Sequence, residues 1–234
     1  MDEFLIHSQF LSTTVDQYRQ SELRPTNDPD HNITHSEACE SFHFYIPNTD
    51  ELILVCKRPH LDAFLHQVTQ RFDTFIFTAA VEDYAKPLLD ILDPKGILFA
   101  QRFYRNSCTF DPELGVYIKN LYTIIPSIQC HHKRHLSNTT CPPPLVQEDD
   151  GPSKSSSTFA PCIERRVVLV DNNPMSFLAN PSNGILVSNF YDDAKDSTLE
   201  AVWELLLELD QSDDVRPILD AKFGLKDALK GITG

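Results

Sequence analysis

Four short runs hold the residue types that do chemistry on charged oxygen. Asp2 stands in Met1-Asp2-Glu3-Phe4-Leu5-Ile6-His7-Ser8, Thr78 in Phe77-Thr78-Ala79, Lys119 in Tyr117-Ile118-Lys119, and Asp171 and Asn172 in Val170-Asp171-Asn172-Asn173-Pro174. Read together they look like the front half of a phosphoryl-transfer site from which the residue that forms the covalent bond is absent. Read singly, each has a plainer use. Asp2 is then a terminal surface acid, Thr78 a strand-end threonine and Lys119 a solvated charge. Asp171–Pro174 can be a turn, which Asn and Pro favour, and a turn can also carry a metal site.

A second group, Cys130, His131, His132, His135 and Cys141, offers thiolates and imidazoles that suit zinc. Its spacing fits no established finger and its flanks are polar, so it is read as part of a loop.

The elements that must position the four runs follow from local pattern. Ser41–Ile46 and Leu52–Cys56 are β-type runs separated by Pro47-Asn48-Thr49-Asp50, which predicts a hairpin. Pro59 suits the first turn of a helix, and Leu61, Phe64, Leu65, Val68 and Phe72 recur on one helical face. Thr74–Thr78 has strand length. A second helix is expected over 81–92, with Leu88, Leu89, Ile91 and Leu92 inward and Pro87 bending it or falling early. Arg166–Val170 is an uninterrupted β-branched run, the pattern of a strand covered on both faces.

Leu199, Val202, Leu205, Leu206 and Leu209 make an amphipathic helix that Asp196 or Ser197 could cap, and Asp213 or Asp214 could cap a last helix with Val215, Ile218 and Leu219 inward. Strands alternating with helices imply a parallel sheet with helices on both faces. Ligands in that class sit at the carboxyl ends of strands, where Thr78 and Asp171 fall. Residues 19–40 read as a polar loop. Residues 127–164, with their His, Pro and Ser tracts, read as a disordered insertion that cannot bury enough apolar surface to offset its ordering entropy.

The opening run looks like the tail of an Asp-x-Asp-x-Thr-Leu motif, with Asp171-Asn172-Asn173-Pro174 as its partner. Lys57-Arg58-Pro59-His60, Phe77-Thr78-Ala79-Ala80, Tyr84-Ala85 and Tyr117-Ile118-Lys119 follow in order. As a set they resemble the FCP1-homology phosphatases, the carboxy-terminal-domain phosphatase branch of the haloacid dehalogenase superfamily. Leu88–Lys95, Ser182–Ile185 and Asp214–Pro217 resemble its small-phosphatase-like members.

The resemblance implies one domain over residues 1–234 with a three-layer, haloacid-dehalogenase-like (Rossmannoid) parallel α/β sheet and a small β-hairpin insertion. It implies Mg²⁺-dependent hydrolysis of phosphoserine or phosphothreonine through an aspartyl-phosphate. Asp2 matches the acid/base aspartate whose carbonyl also faces the metal. Asp171 and Asn172 complete the metal site, and Thr78 and Lys119 hold the phosphoryl oxygens. The implied partner is a phosphorylated protein or peptide such as the RNA polymerase II C-terminal repeat, in the nucleus or cytoplasm.

Two departures set expectations for activity. The family's nucleophilic aspartate belongs two residues ahead of Asp2, and the apolar strand that delivers it would precede Met1, so an N-terminally truncated, inactive or weakly active chain is expected. Phe4 replaces the usual threonine and brings no hydroxyl. The alternative reading is a non-catalytic module that binds phosphopeptides or presequences, like the receptor of the mitochondrial import translocase at the inner membrane.

The 234 residues carry a net charge of −14, which argues against a basic nucleic-acid face, so no direct nucleic-acid partner is expected. Asp2 and Glu3 lead and no apolar stretch as long as a leader's hydrophobic region follows, so no secretory leader is read. No apolar stretch approaches the ~18 residues of a membrane span.

Overall fold

The computed structural model describes residues 1–11, 39–47, 49, 51–135 and 163–232. An antiparallel sheet forms first, from β1 (Ile6–Leu11), β2 (Ser41–Tyr45) and β3 (Leu52–Lys57). The expected hairpin is its β2–β3 half, in register Phe44 opposite Ile53. The strand β1 was not foreseen. It pairs with the other edge of β3, Ile6 opposite Lys57, so β3 lies centrally. That position suits its residues, since Leu52, Ile53 and Val55 are all buried.

Helix α1 (Leu61–Arg71) turns Leu61, Phe64, Leu65 and Val68 inward, as the periodicity requires. It begins after His60, whose φ of 63° is left-handed, so Pro59 lies ahead of the first turn rather than in it. The strand β4 (Phe75–Phe77) leads to α2 (Glu82–Leu92), which runs through Pro87 and buries Ala85, Leu88, Leu89 and Leu92. Ile91 falls off that face and is exposed, contrary to expectation.

Beyond it, β5 (Gln101–Phe103) pairs parallel with β4, and β6 (Thr109–Asp111) pairs antiparallel with β7 (Val116–Ile118). Helix α3 (Leu121–His135) follows. Its Leu121, Ile124, Ile125 and Ile128 are buried on one face, so ordered helix extends into the range read as an insertion from 127. The rest of that range, 136–162, and most of 19–40 lie outside the described residues, as does Cys141 of the zinc-like group.

The expected strand over Arg166–Val170 is shifted: β8 is Leu169–Asp171 and pairs parallel with β9 (Gly184–Leu186). Upstream, the Val167 carbonyl accepts from the Asn183 side chain at 2.7 Å, and the Arg166 amide donates to the Ile163 carbonyl at 2.8 Å, so neither joins a ladder. Helices α4 (Thr198–Asp210), α5 (Arg216–Phe223) and α6 (Leu225–Leu229) complete the described chain. Asp196, the first of the two expected caps, accepts from the Thr198 amide at 2.9 Å.

The layering is visible in where successive side chains go. Ile76 and Ile185 enter one apolar cluster with α1, α2 and α4, whereas their neighbours Phe77 and Leu186 enter another with α3 and α6. Adjacent residues of a strand face opposite ways, so each parallel pair is covered on both faces. The architecture is mixed α/β with its parallel strands between two helical layers, as expected, but the parallel part consists of two separate pairs among the described residues.

Candidate functional site

The ends of the parallel strands deliver the residues of interest. Thr78 follows β4 and Asp171 closes β8, while Lys119 follows β7. Lys119 Nζ and Asp171 Oδ2 form a buried ion pair, with 5% and 2% of the residues exposed. The second carboxylate oxygen, Oδ1, accepts from the Asn173 amide at 2.8 Å, which turns the chain out of the strand. Burial pushes the Asp171 carboxyl up, but the Lys119 ammonium and the Met1 amine outweigh it and hold it below the usual range. The Met1 amine lies in the field of both residues, and burial followed by repulsion from Lys119 pulls it down to about 6.

Thr78 is buried, donating its amide to the Phe103 carbonyl at 2.9 Å and accepting at Oγ1 from the Ala80 amide at 3.1 Å. Cys108 lies next to it. Its thiol donates to the Thr78 carbonyl at 3.6 Å. Burial pushes that thiol up, against the pull of Lys119 and Arg105, while Asp171 reinforces burial.

Asp2 turns its carboxylate another way. Oδ1 accepts from the Ser8 amide at 3.0 Å and Oδ2 from the Tyr84 hydroxyl at 3.2 Å. Burial, with Asp2 beside it, pushes the Tyr84 hydroxyl well up. Asn172 donates through Nδ2 to Glu3 Oε2 at 3.4 Å and to Asn189 Oδ1 at 3.2 Å. Of the five residues singled out in the sequence, the fold joins Lys119 to Asp171 directly, with the Met1 amine in the field of both. Thr78 contacts Cys108, Asp2 turns to Ser8 and Tyr84, and Asn172 meets Glu3.

Phe4 has no role at an opening of this site. Its side chain is buried in the core, and its carbonyl accepts from Arg58 Nη1 at 2.9 Å. The partners Tyr84, Glu3 and Cys108 were not read as functional. Nothing local marks Cys108, whereas Glu3 and Tyr84 each lie within one of the runs named in the sequence.

The donor chemistry around Asp171 suits a hard cation. Among the described residues no group of three His, Cys, Asp or Glu side chains could form a dedicated metal cage. Magnesium does not need one, because it binds through one or two carboxylates and keeps several waters. Although protein donors already engage Asp171 and Asp2, each carboxylate has about four lone-pair sites and can accept further. The offered groups are oxygens throughout, and in this sense they fit Mg²⁺.

Comparison with known proteins places this geometry in context. A family model described as NLI interacting factor-like phosphatase matches residues 1–141 and 154–216. Nuclear envelope morphology protein 1 of Saccharomyces cerevisiae is 30% identical over 227 residues, 97% of this chain and 41% of that protein. The human CTD small phosphatase-like protein is 29% identical over 198 residues, 82% of this chain and 58% of its own. CTD small phosphatase-like protein 2 of Dictyostelium discoideum is 29% identical over 204 residues, 85% of this chain and 29% of its own. The chain thus spans about half the length, or less, of the curated relatives it matches.

Proposed function

Since the chain belongs to the NLI interacting factor-like phosphatase family, we propose that its site binds the phosphoryl group of a phosphoserine or phosphothreonine in a protein and that the site's reaction is hydrolysis through an aspartyl-phosphate. The observation that carries this reading is the buried Lys119–Asp171 pair at the strand ends, with Met1 beside it. A buried ammonium next to a strand terminus is a poor device for stability, because desolvation offsets much of the attraction. It is a good one for holding a phosphoryl oxygen.

In this reading Lys119 and the Thr78 hydroxyl hold phosphoryl oxygens, and Asp2 handles protons. An aspartate oxygen attacks phosphorus, and the serine or threonine oxygen leaves with a proton from Asp2. Water then attacks the aspartyl-phosphate, giving its proton to Asp2 and releasing inorganic phosphate. Asp171, Asn172 and the Asp2 carbonyl would hold Mg²⁺, which when bound neutralises phosphate charge. The motif of the family has its nucleophilic aspartate directly before Met1, whose amine lies in the field of Lys119 and Asp171. A polypeptide of residues 1–234 alone lacks that group, and losing a nucleophile costs roughly 10⁶ in rate in a comparable enzyme.

The test compares hydrolysis of an aryl phosphate and a phosphoserine peptide, with Mg²⁺, by this polypeptide and by one extended ahead of Met1 by an apolar strand that ends in an aspartate. The first is expected to be inactive or nearly so, and the second active. Turnover by either that survives both Asp2→Ala and Asn172→Ala rejects the site. The substrates that fit are phosphorylated proteins of the nucleus or cytoplasm, such as the RNA polymerase II C-terminal repeat. A human relative named carboxy-terminal domain RNA polymerase II polypeptide A small phosphatase 1 supports that choice. A second reading, a module that binds phosphopeptides without cleaving them, rests on Phe4 standing where the family's motif has a threonine. Tight phosphopeptide binding with no turnover after the aspartate is restored would select it.

A further inference from the structure

We infer that Glu3 is a positioning residue that orients the amide of Asn172 toward a divalent cation; this rests on the proposed reading of Asn172 as an oxygen ligand. An asparagine amide has a donor end and an acceptor end, and a half-turn exchanges them. At Asn172 the donor end is taken twice, by Glu3 Oε2 at 3.4 Å and Asn189 Oδ1 at 3.2 Å. Glu3 Oε2 can only accept, so the flipped amide would set its own oxygen against it, whereas Asn189, whose Nδ2 meets the Tyr191 hydroxyl, can turn its own amide and does not decide the matter. With Nδ2 held in this way, Oδ1 of Asn172 is the end left for a cation in the proposed reading.

The backbone at Glu3 supports the same conclusion. Its φ of 56° lies in the left-handed region, which is uncommon for a residue that is not Gly, Asn or Asp. The conformation is held from both sides: the Phe190 amide donates to the Glu3 carbonyl at 2.8 Å, and the Glu3 amide donates to Asp2 Oδ1 at 3.2 Å. Its effect is to send neighbouring carboxylates to different tasks. Asp2 reaches Tyr84 and Ser8, while Glu3 crosses to Asn172, 169 positions away in the chain. Backbone strain of this kind gathers where surrounding structure fixes a functional geometry.

The test reads metal binding directly. Mn²⁺ is titrated into the polypeptide of residues 1–234, and free Mn²⁺ is followed by electron paramagnetic resonance, with thermal unfolding recorded alongside. Glu3→Gln keeps an acceptor at the right reach and is expected to bind within about twofold of the parent. Glu3→Asp keeps the charge and tolerates left-handed φ better, but it is one methylene too short. It is expected to lose about tenfold in affinity, the usual cost of removing an outer partner of a ligand, with no loss of thermal stability. Asn172→Ala is expected to lose at least as much.

Equal binding by Glu3→Asp and the parent overturns the inference while leaving the metal reading intact, provided Asn172→Ala weakens binding. Equal loss in Glu3→Gln and Glu3→Asp overturns it too, because charge or fold rather than orientation would then be responsible. Unchanged binding in Asn172→Ala, or no Mn²⁺ binding by the parent, removes the metal reading and the inference together.

Discussion

Arg58 and Asp196, 138 positions apart, meet in a two-pronged ion pair, Nε to Oδ1 and Nη2 to Oδ2, both at 2.7 Å. The Arg58 side chain is fully buried. It also donates to the Phe4 carbonyl at 2.9 Å, the Ser188 hydroxyl at 2.9 Å and the Thr198 hydroxyl at 2.8 Å, and it lies over the Phe190 ring. One guanidinium thus ties the segment carrying Asp2 to the loop after β9 and to the start of α4. The planar fork makes this possible, and no lysine can reproduce it.

Arg58→Ala is therefore expected to destabilise the protein by about 3–5 kcal/mol, the usual cost of stranding a buried partner. Urea unfolding measures it. Arg58→Lys should recover only part, because it cannot bind Asp196 at two points.

Acid should weaken the site through Asp171. Its carboxyl titrates below the ordinary value of 3.8 when folded, so the unfolded state binds the proton more readily. The stabilisation is therefore complete above about pH 4 and is lost as pH falls through the lower, folded value. Urea midpoints measured from pH 6 downward should fall in that window, and Asp171→Asn should flatten this part of the profile. Lys119→Met should cost about 3–5 kcal/mol at neutral pH, since it leaves Asp171 buried without its partner.

Gly184 is fixed by space rather than by conformation. A Cβ there would stand 2.6 Å from Phe177 Cδ1 and 2.7 Å from Leu225 Cδ1, and Phe177 is wholly buried. Gly184→Ala is expected to cost about 1–3 kcal/mol by overpacking, read as a lower urea midpoint. In a Leu225→Ala background, itself less stable, the added cost of Gly184→Ala should be smaller, because one of the two clashing side chains is gone.

Asn183 holds two carbonyls at once, those of Glu164 and Val167, each at 2.7 Å. Asn183→Ala is expected to cost about 1–3 kcal/mol, the penalty for leaving such groups unsatisfied. Faster hydrogen exchange at β8 is the specific readout, because these bonds brace the approach to Leu169.

Local order decided much of the architecture. Alternation and turn residues specified the β2–β3 hairpin, and spacing on one face specified α1 and α4. The ends of apolar runs placed Thr78 and Asp171 where parallel strands terminate. These signals are legible because each depends on neighbours within a few positions. Helix α3, with Leu121, Ile124, Ile125 and Ile128 buried, escaped because Pro126 interrupts its sequence and it runs into a polar tract that masks its end. Only the folded chain brings Lys119 to Asp171, 52 positions on, or spends Arg58 on Asp196 rather than on solvent. A charged side chain carries no mark of its burial in the sequence, because its partner is chosen by how the layers close.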